Sequence, residues 1–103
     1  MPRISIEEAK KILEEVDSNQ YFWINNGPIV KSLFDLPEVL RFIDDNTFKY
    51  HVNDRKNDLA EWIEETVGDC TLAKVLKRIK TKGTTINKVN QRLAYLKKLA
   101  KVR

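Results

Sequence analysis

Apolar residues recur at intervals of three and four along most of this 103-residue chain. That interval is the period of a helix with one buried face, so the pattern predicts helices rather than an extended sheet. Glycine and proline, which interrupt helices, occur only three times each. The sequence therefore predicts a mainly α fold, a small single-domain bundle of five or six helices.

One short segment departs from the helical period. Residues 21–24 are aromatic or β-branched, residues 25–27 are Asn-Asn-Gly, and Ile29 and Val30 follow. Strands favour aromatic and β-branched side chains, and a tight turn favours Asn and Gly because they tolerate a positive φ. The chain is therefore predicted to form one short N-terminal β-hairpin that is covered by helices.

Polar residues, Pro and Gly mark where the helices begin and end. Ser5 and Glu8 have the spacing of a capping box, Pro37 suits the first turn of a helix, and Gly68 is typical of a helix end. Within one domain at residues 1–103 we distinguish an N-terminal helix at 1–17, a core at 20–80 and a basic C-terminal helix at 81–103. Helices are also predicted at 47–52, 59–67, 70–80 and 86–102, with a turn and weak joint at 81–85.

The composition excludes several classes of protein. No apolar run approaches the roughly 20 residues of a membrane span, so no membrane partner is expected. A single cysteine, Cys70, excludes an internal disulfide and a multi-thiolate zinc site. We expect a cytoplasmic protein with no metal site and no cofactor.

Charge is distributed unevenly along the chain. Residues 1–69 contain eight basic and all fifteen acidic residues, a formal charge of −7. Residues 70–103 contain eleven basic residues and no acidic one, a formal charge of +11. Because like charges repel, the folded chain loses stability by keeping these bases together. The stretch indicates a polyanionic partner, and three alternatives stay open: an acidic protein partner, acids of the same chain, or a solvated face.

Nucleic acid is the partner that we predict, because each phosphate neutralised by Lys or Arg releases counterions and adds affinity. The sequence has no zinc finger and no RNA-recognition sheet signature, and residues 70–102 resemble a helix-turn-helix only weakly. Structured RNA or a ribonucleoprotein is therefore favoured over DNA. The candidate nucleic-acid-binding residues are Lys74, Lys77, Arg78, Lys80, Lys82, Lys88, Arg92, Lys97, Lys98 and Lys101.

An alternative function uses the apolar face of the predicted C-terminal helix. Apolar residues there step by three and four, as the seam of a paired helix does. This face could bind a helix of another protein, or a second copy of the chain in a homodimer. The candidate seam residues are Ile86, Val89, Leu93, Leu96 and Ala100.

The polar loop around His51 is the one place where chemistry is conceivable. General acid–base catalysis would need His51 beside a carboxylate in a cleft. The sequence contains no glycine-rich phosphate loop and no Ser/His/Asp motif, so no catalytic residue is assigned and no enzyme is predicted. His51, Asn53, Asn57 and Asp58 are predicted to be structural caps and loop bonds. A small-ligand sensor at His51, Asn57 and Asp58 is the second alternative function.

Several motifs in the middle of the chain occur in a fixed order. Residues 48–53 read FKYHVN, residues 56–63 read KNDLAEWI, and Gly-Asp and Leu-Ala follow at 68–69 and 72–73. With the glycine turn upstream, this order resembles an uncharacterised archaeal and bacterial small-domain family over about residues 20–95. Leu59 stands where that family more often has Phe. The resemblance implies a compact prokaryotic domain, and it assigns no activity or functional residue.

Overall fold

The computed structural model describes residues 4–101, and within them it confirms a mainly helical fold with an N-terminal hairpin. No helix in this range combines the length and the apolar content needed to cross a membrane. The elements are α1 (Ile6–Leu13), β1 (Phe22–Trp23), β2 (Ile29–Val30), α2 (Leu36–Phe42), α3 (Asp45–His51), α4 (Asp58–Trp62), α5 (Cys70–Leu76) and α6 (Lys82–Ala100).

The predicted capping box starts α1. The Glu8 N–H donates to the Ser5 hydroxyl over 3.0 Å, and the Ser5 N–H donates to the Glu8 carboxylate over 3.1 Å. Glutamate and serine thereby satisfy two backbone donors that a helix start leaves free. The helix ends at Leu13, earlier than the predicted end at residue 17. The chain turns extended there, and the Val16 N–H bonds to the Lys31 carbonyl beyond the hairpin instead of within a helix.

The hairpin is antiparallel, as predicted, and only two residues long on each side. Phe22 pairs with Val30 and Trp23 pairs with Ile29. The tight turn brings residue 27 against Ile24, where an added β-carbon would lie 2.7 Å from the Ile24 side chain, so only glycine fits. Phe22 and Val30 are buried against the helices, whereas Trp23 is 64% exposed.

The predicted helix at 59–67 forms, but its last turn is wider than an α-helical turn. Residues Ile63–Val67 follow α4 directly as a π-helical turn. The N–H groups of Gly68 and Asp69 both donate to the Ile63 carbonyl, and Gly68 has a φ of 89°. Ile63 and Val67 remain buried through this turn, so the apolar spacing correctly predicts which side faces the core.

The predicted joint at residues 81–85 is wrong. The helix α5 ends at Leu76 rather than residue 80, and α6 begins at Lys82, so these residues are helical apart from Thr81 at the N-cap position. The Lys82 ammonium donates to the Ile43 carbonyl over 2.6 Å, and the Thr85 hydroxyl donates to the Thr81 carbonyl over 2.8 Å. A tertiary contact thus holds a first helical turn whose glycine and threonines favour a loop.

The longest helix, α6, lies at the centre of the packing. It contacts α1, α2 and α5, and it buries Val89, Leu93, Leu96 and Ala100 against them. The fifth seam residue, Ile86, is partly buried against the same core. The seam proposed for a partner helix is therefore already filled by this chain, and the prediction that it is an interface is wrong for this fold.

Two glycines give opposite predictions for substitution by alanine. Gly68→Ala should lower the free energy of unfolding by about 1–2 kcal/mol, because a β-carbon is strained in left-handed backbone. Gly83→Ala should raise it by about 0.4–1 kcal/mol, because Gly83 is helical and an added β-carbon meets no atom within 4 Å. Urea unfolding followed by circular dichroism measures both values. Shifts of the same sign in both variants would contradict this assignment of the two backbone conformations.

Candidate functional site

The His51 ring lies in the interior between the hairpin and α4. Its Nε2 atom accepts the Asn25 N–H over 3.0 Å, and its Nδ1 atom lies 3.0 Å from an Asp58 carboxylate oxygen. A backbone N–H can only donate, so Nε2 is the acceptor and Nδ1 carries the proton that bonds to Asp58. Both ring nitrogens are therefore occupied within the chain. His51 has no free lone pair with which to act as a base or metal ligand.

The neighbouring side chains are structural, though not all are caps. Asn57 caps α4, because its side-chain oxygen accepts the Ala60 N–H over 2.9 Å, and its NH₂ group donates to the Leu76 carbonyl at the end of α5. Asn53 similarly bonds to the Lys49 carbonyl at the end of α3 and to the Arg55 N–H. The prediction that Asp58 is also a cap is wrong. Its carboxylate accepts hydrogen bonds from His51 Nδ1 and, over 2.9 Å, from the Lys56 ammonium.

These hydrogen bonds leave few polar groups of the loop free to bind a ligand. A cavity of about 230 Å³ lies beside it, lined by residues 52–57 together with Lys77, Ile79 and Lys80. His51 and Asp58 do not line this cavity, and the amides of Asn53 and Asn57 are bonded to the protein through both oxygen and nitrogen. The arrangement ties the hairpin, α3, α4 and α5 together and gives the sensor alternative no support.

The Asp58 carboxylate is held in its ionised form. Burial raises the pKa of Asp58, but the hydrogen bonds from Lys56 and His51 outweigh it, so the pKa lies below its ordinary value of 3.8. A carboxylate whose pKa is lower in the folded state stabilises that state at neutral pH. The stabilisation is complete above the ordinary pKa and is lost as the pH falls toward the lowered one.

Asp58→Asn should therefore flatten the acid side of the stability profile. Between about pH 5 and pH 2 the unfolded chain takes up a proton at Asp58 before the folded chain does, and this variant removes that difference. The free energy of unfolding, measured by urea titration at several pH values, should depend less steeply on pH than in the wild type. Asp45→Asn, at an exposed carboxylate, is the control. An unchanged slope in Asp58→Asn would contradict the assignment.

Part of the basic last third is neutralised by acids of the same chain. Lys77 lies 3.0 Å from Glu64, Lys80 lies 2.6 Å from Asp54, and Arg92 lies 2.7 Å from Asp69. The hydrogen bond and charge of Lys80 hold the pKa of Asp54 below its ordinary value. Lys82 is also engaged, through its bond to the Ile43 carbonyl. Four of the ten predicted residues thus have structural contacts.

The other six predicted cations have no such partner. No carboxylate among residues 4–101 lies within 4.0 Å of their charged groups. Lys97 instead lies over the Phe34 ring, 5.6 Å from its centroid. These cations, called here the unpaired set, are Lys74, Arg78, Lys88, Lys97, Lys98 and Lys101.

The pair formed by Arg92 and Asp69 is the most buried of the ion pairs. The Asp69 side chain is 1% exposed and the Arg92 side chain is 15% exposed. Two parallel bonds join them, from Nε to Oδ2 over 2.7 Å and from Nη2 to Oδ1 over 2.9 Å. Asp69 also caps α5 by accepting the Leu72 N–H. Arg92, predicted to bind nucleic acid, is therefore primarily the link that holds α5 to α6.

An open groove of about 260 Å³ runs between α5 and α6 beside this pair. Two of its larger apolar side chains are exposed although they lie at helical spacing: Val75 is 39% exposed and Tyr95 is 45% exposed. On α6 the groove face also carries Lys98, which is one turn beyond Tyr95. Lys74 precedes Val75 on α5 and is exposed. The lining residues are Thr71, Leu72, Val75, Lys88, Gln91, Arg92 and Tyr95.

The position of Tyr95 in the sequence already contained a signal for this groove. Tyr95 lies four residues after Gln91 and three before Lys98, so it belongs to a polar row of α6. Its aromatic ring also extends the apolar face of α6, and that feature wrongly favours burial in the core.

No family model matches the chain, and no curated protein or solved structure matches it either. The family resemblance of residues 20–95 therefore stays a prediction.

Arg92→Met should destabilise the protein strongly, because it leaves the buried Asp69 carboxylate without its cation. Breaking a buried pair in this way costs about 3–5 kcal/mol. Lys77→Met is the matched control, since it breaks an exposed pair with Glu64 and should cost less than about 1 kcal/mol. Guanidinium unfolding measures both losses. Equal effects of the two variants would contradict a structural role for the buried pair.

Proposed function

We propose that this protein binds nucleic acid, with RNA favoured over DNA, through the cationic surface formed by α5 and α6. The observation that carries the proposal is the unpaired set, six cations in the last third of the chain without a carboxylate partner among residues 4–101. Keeping them together opposes folding through like-charge repulsion, and phosphate groups would relieve that repulsion.

The separation of charge supports a polyanion as the partner. The acids of residues 1–69 give that part a formal charge of −7, which repels phosphate, so a nucleic acid would approach from the side of the last third. Three of those acids, Glu64, Asp54 and Asp69, neutralise cations of the last third, so most of the positive charge that stays uncompensated there belongs to the unpaired set.

The residues between the cations support nucleic acid over an acidic protein. Asn87, Asn90 and Gln91 lie on α6 among the unpaired set and are exposed. Amide side chains both donate and accept hydrogen bonds, as the edges of bases and the sugar hydroxyls require. The 2′-hydroxyl of RNA offers such contacts and DNA does not. The proposal thus describes a cytoplasmic binding protein without catalytic residues, in keeping with the occupied nitrogens of His51.

Removal of three unpaired lysines tests the proposal. The variant Lys74→Gln, Lys88→Gln, Lys98→Gln should bind a short RNA more weakly than the wild type at 50 mM salt. Each lost phosphate contact on a single strand lowers the slope of log affinity against log salt by about 0.7, so the slope should fall by about 2. Fluorescence anisotropy with a labelled RNA, titrated at several salt concentrations, measures affinity and slope together.

The control variant removes the same charge elsewhere. Lys10→Gln, Lys11→Gln, Lys49→Gln changes three exposed lysines of the acidic part and should leave both affinity and slope close to the wild type. A wild type that binds no RNA or DNA at 50 mM salt would overturn the proposal. Equal losses in the two triple variants would also overturn it, because net charge alone would then explain binding.

A further inference from the structure

We infer that Tyr95 is a stacking platform for one unpaired base, and that the groove between α5 and α6 is the subsite which receives it. This inference rests on the proposed function and gives it a substrate class, a single-stranded or looped RNA. The groove measures about 260 Å³, below the range of about 300–1,000 Å³ typical of sites for free small molecules. Its size therefore suits one base inserted from a longer strand.

The ring of Tyr95 is both accessible and fixed. The residue is 45% exposed, and the Arg92 guanidinium carbon lies over its ring, 5.1 Å from the centroid. Arg92 is itself held by two hydrogen bonds to the buried Asp69 carboxylate. A base that stacks on Tyr95 would thus meet a ring already oriented, so less conformational freedom is lost on binding. The guanidinium covers one face of the ring through a cation–π contact, so a base would stack on the opposite face.

The groove provides separate places for the apolar and the charged parts of a nucleotide. Leu72 and Val75 supply its apolar wall on α5. Along the α6 face, Lys88 lies about two turns before Tyr95 and Lys98 lies about one turn after it. A base on the ring would therefore have a cation on each side along the helix for the phosphates of its own strand. Gln91, one turn before Tyr95, offers an amide for the edge of the base.

Paired bases are not available for such stacking, since both faces of each base are covered within a duplex. Sequence-tolerant binding by aromatic side chains is accordingly typical of single strands and loops. A duplex would meet the same lysines without occupying the ring. The subsite thus predicts a preference for unpaired RNA that the charge distribution alone does not predict.

Substitution of Tyr95 separates stacking from charge. Tyr95→Leu keeps an apolar side chain without a π face, and it should weaken binding of a labelled 12-nucleotide oligouridine about tenfold or more. The salt slope should stay that of the wild type, because no charge is removed. Tyr95→Phe should bind as the wild type does. Binding of a 12-base-pair RNA duplex should be weaker than that of the single strand and equal in all three proteins.

The chain offers a matched control in a second exposed tyrosine beside a cation. Tyr50 is 54% exposed, and the Lys56 ammonium lies over its ring, 4.9 Å from the centroid. Tyr50→Leu lies outside the basic third and should leave RNA affinity unchanged. Thermal unfolding of each variant, followed by circular dichroism, establishes that the folded protein is being compared.

The outcomes distinguish the two proposals. Wild-type protein that binds neither of these RNAs overturns the subsite, and it overturns the proposed function as well if it binds no DNA either. Binding that depends on Lys74, Lys88 and Lys98 but is unchanged in Tyr95→Leu overturns the subsite and leaves the proposed function standing. Tighter binding of the duplex, or an equal loss in Tyr50→Leu, also overturns the subsite.

Discussion

The buried ion pair between Asp69 and Arg92 determines how the last two helices are arranged. A carboxylate with 1% exposure is stable in the interior only if its cation keeps good geometry, so the pair fixes α6 against the start of α5. The same carboxylate caps α5, and the same guanidinium lies over the Tyr95 ring. One interaction thus sets a helix start, a helix packing and the orientation of the exposed aromatic in the groove.

The basic last third combines two of the explanations that its composition allows. Lys77, Lys80 and Arg92 pair with acids from earlier in the chain, so part of the positive charge contributes to holding the fold together. In the unpaired set, Lys88 lines the groove and Lys97 lies over the Phe34 ring, and the other four cations are exposed. The ten predicted nucleic-acid-binding residues are therefore divided into structural and accessible ones.

Local signals predicted most of the fold and little of the groove. The capping box at Ser5, the turn before Pro28 and the end at Gly68 depend on neighbours in sequence, so they could be predicted correctly. The start of α6 depends on a bond between Lys82 and Ile43, which are 39 residues apart, and no local pattern contains it. Tyr95 lies in a polar row of α6 while its aromatic ring favours burial, and the packing of α5 against α6 decides between them by leaving it exposed.

The filled seam of α6 has a kinetic consequence. Because Val89, Leu93 and Leu96 anchor the helix in the core, its charged side is already formed before any ligand arrives. Binding of a polyanion to this side would require no folding step. Its association rate would be set by diffusion and long-range electrostatic attraction. The lifetime of such a complex would then depend on short-range contacts, which vary between ligands far more than the rate of encounter does.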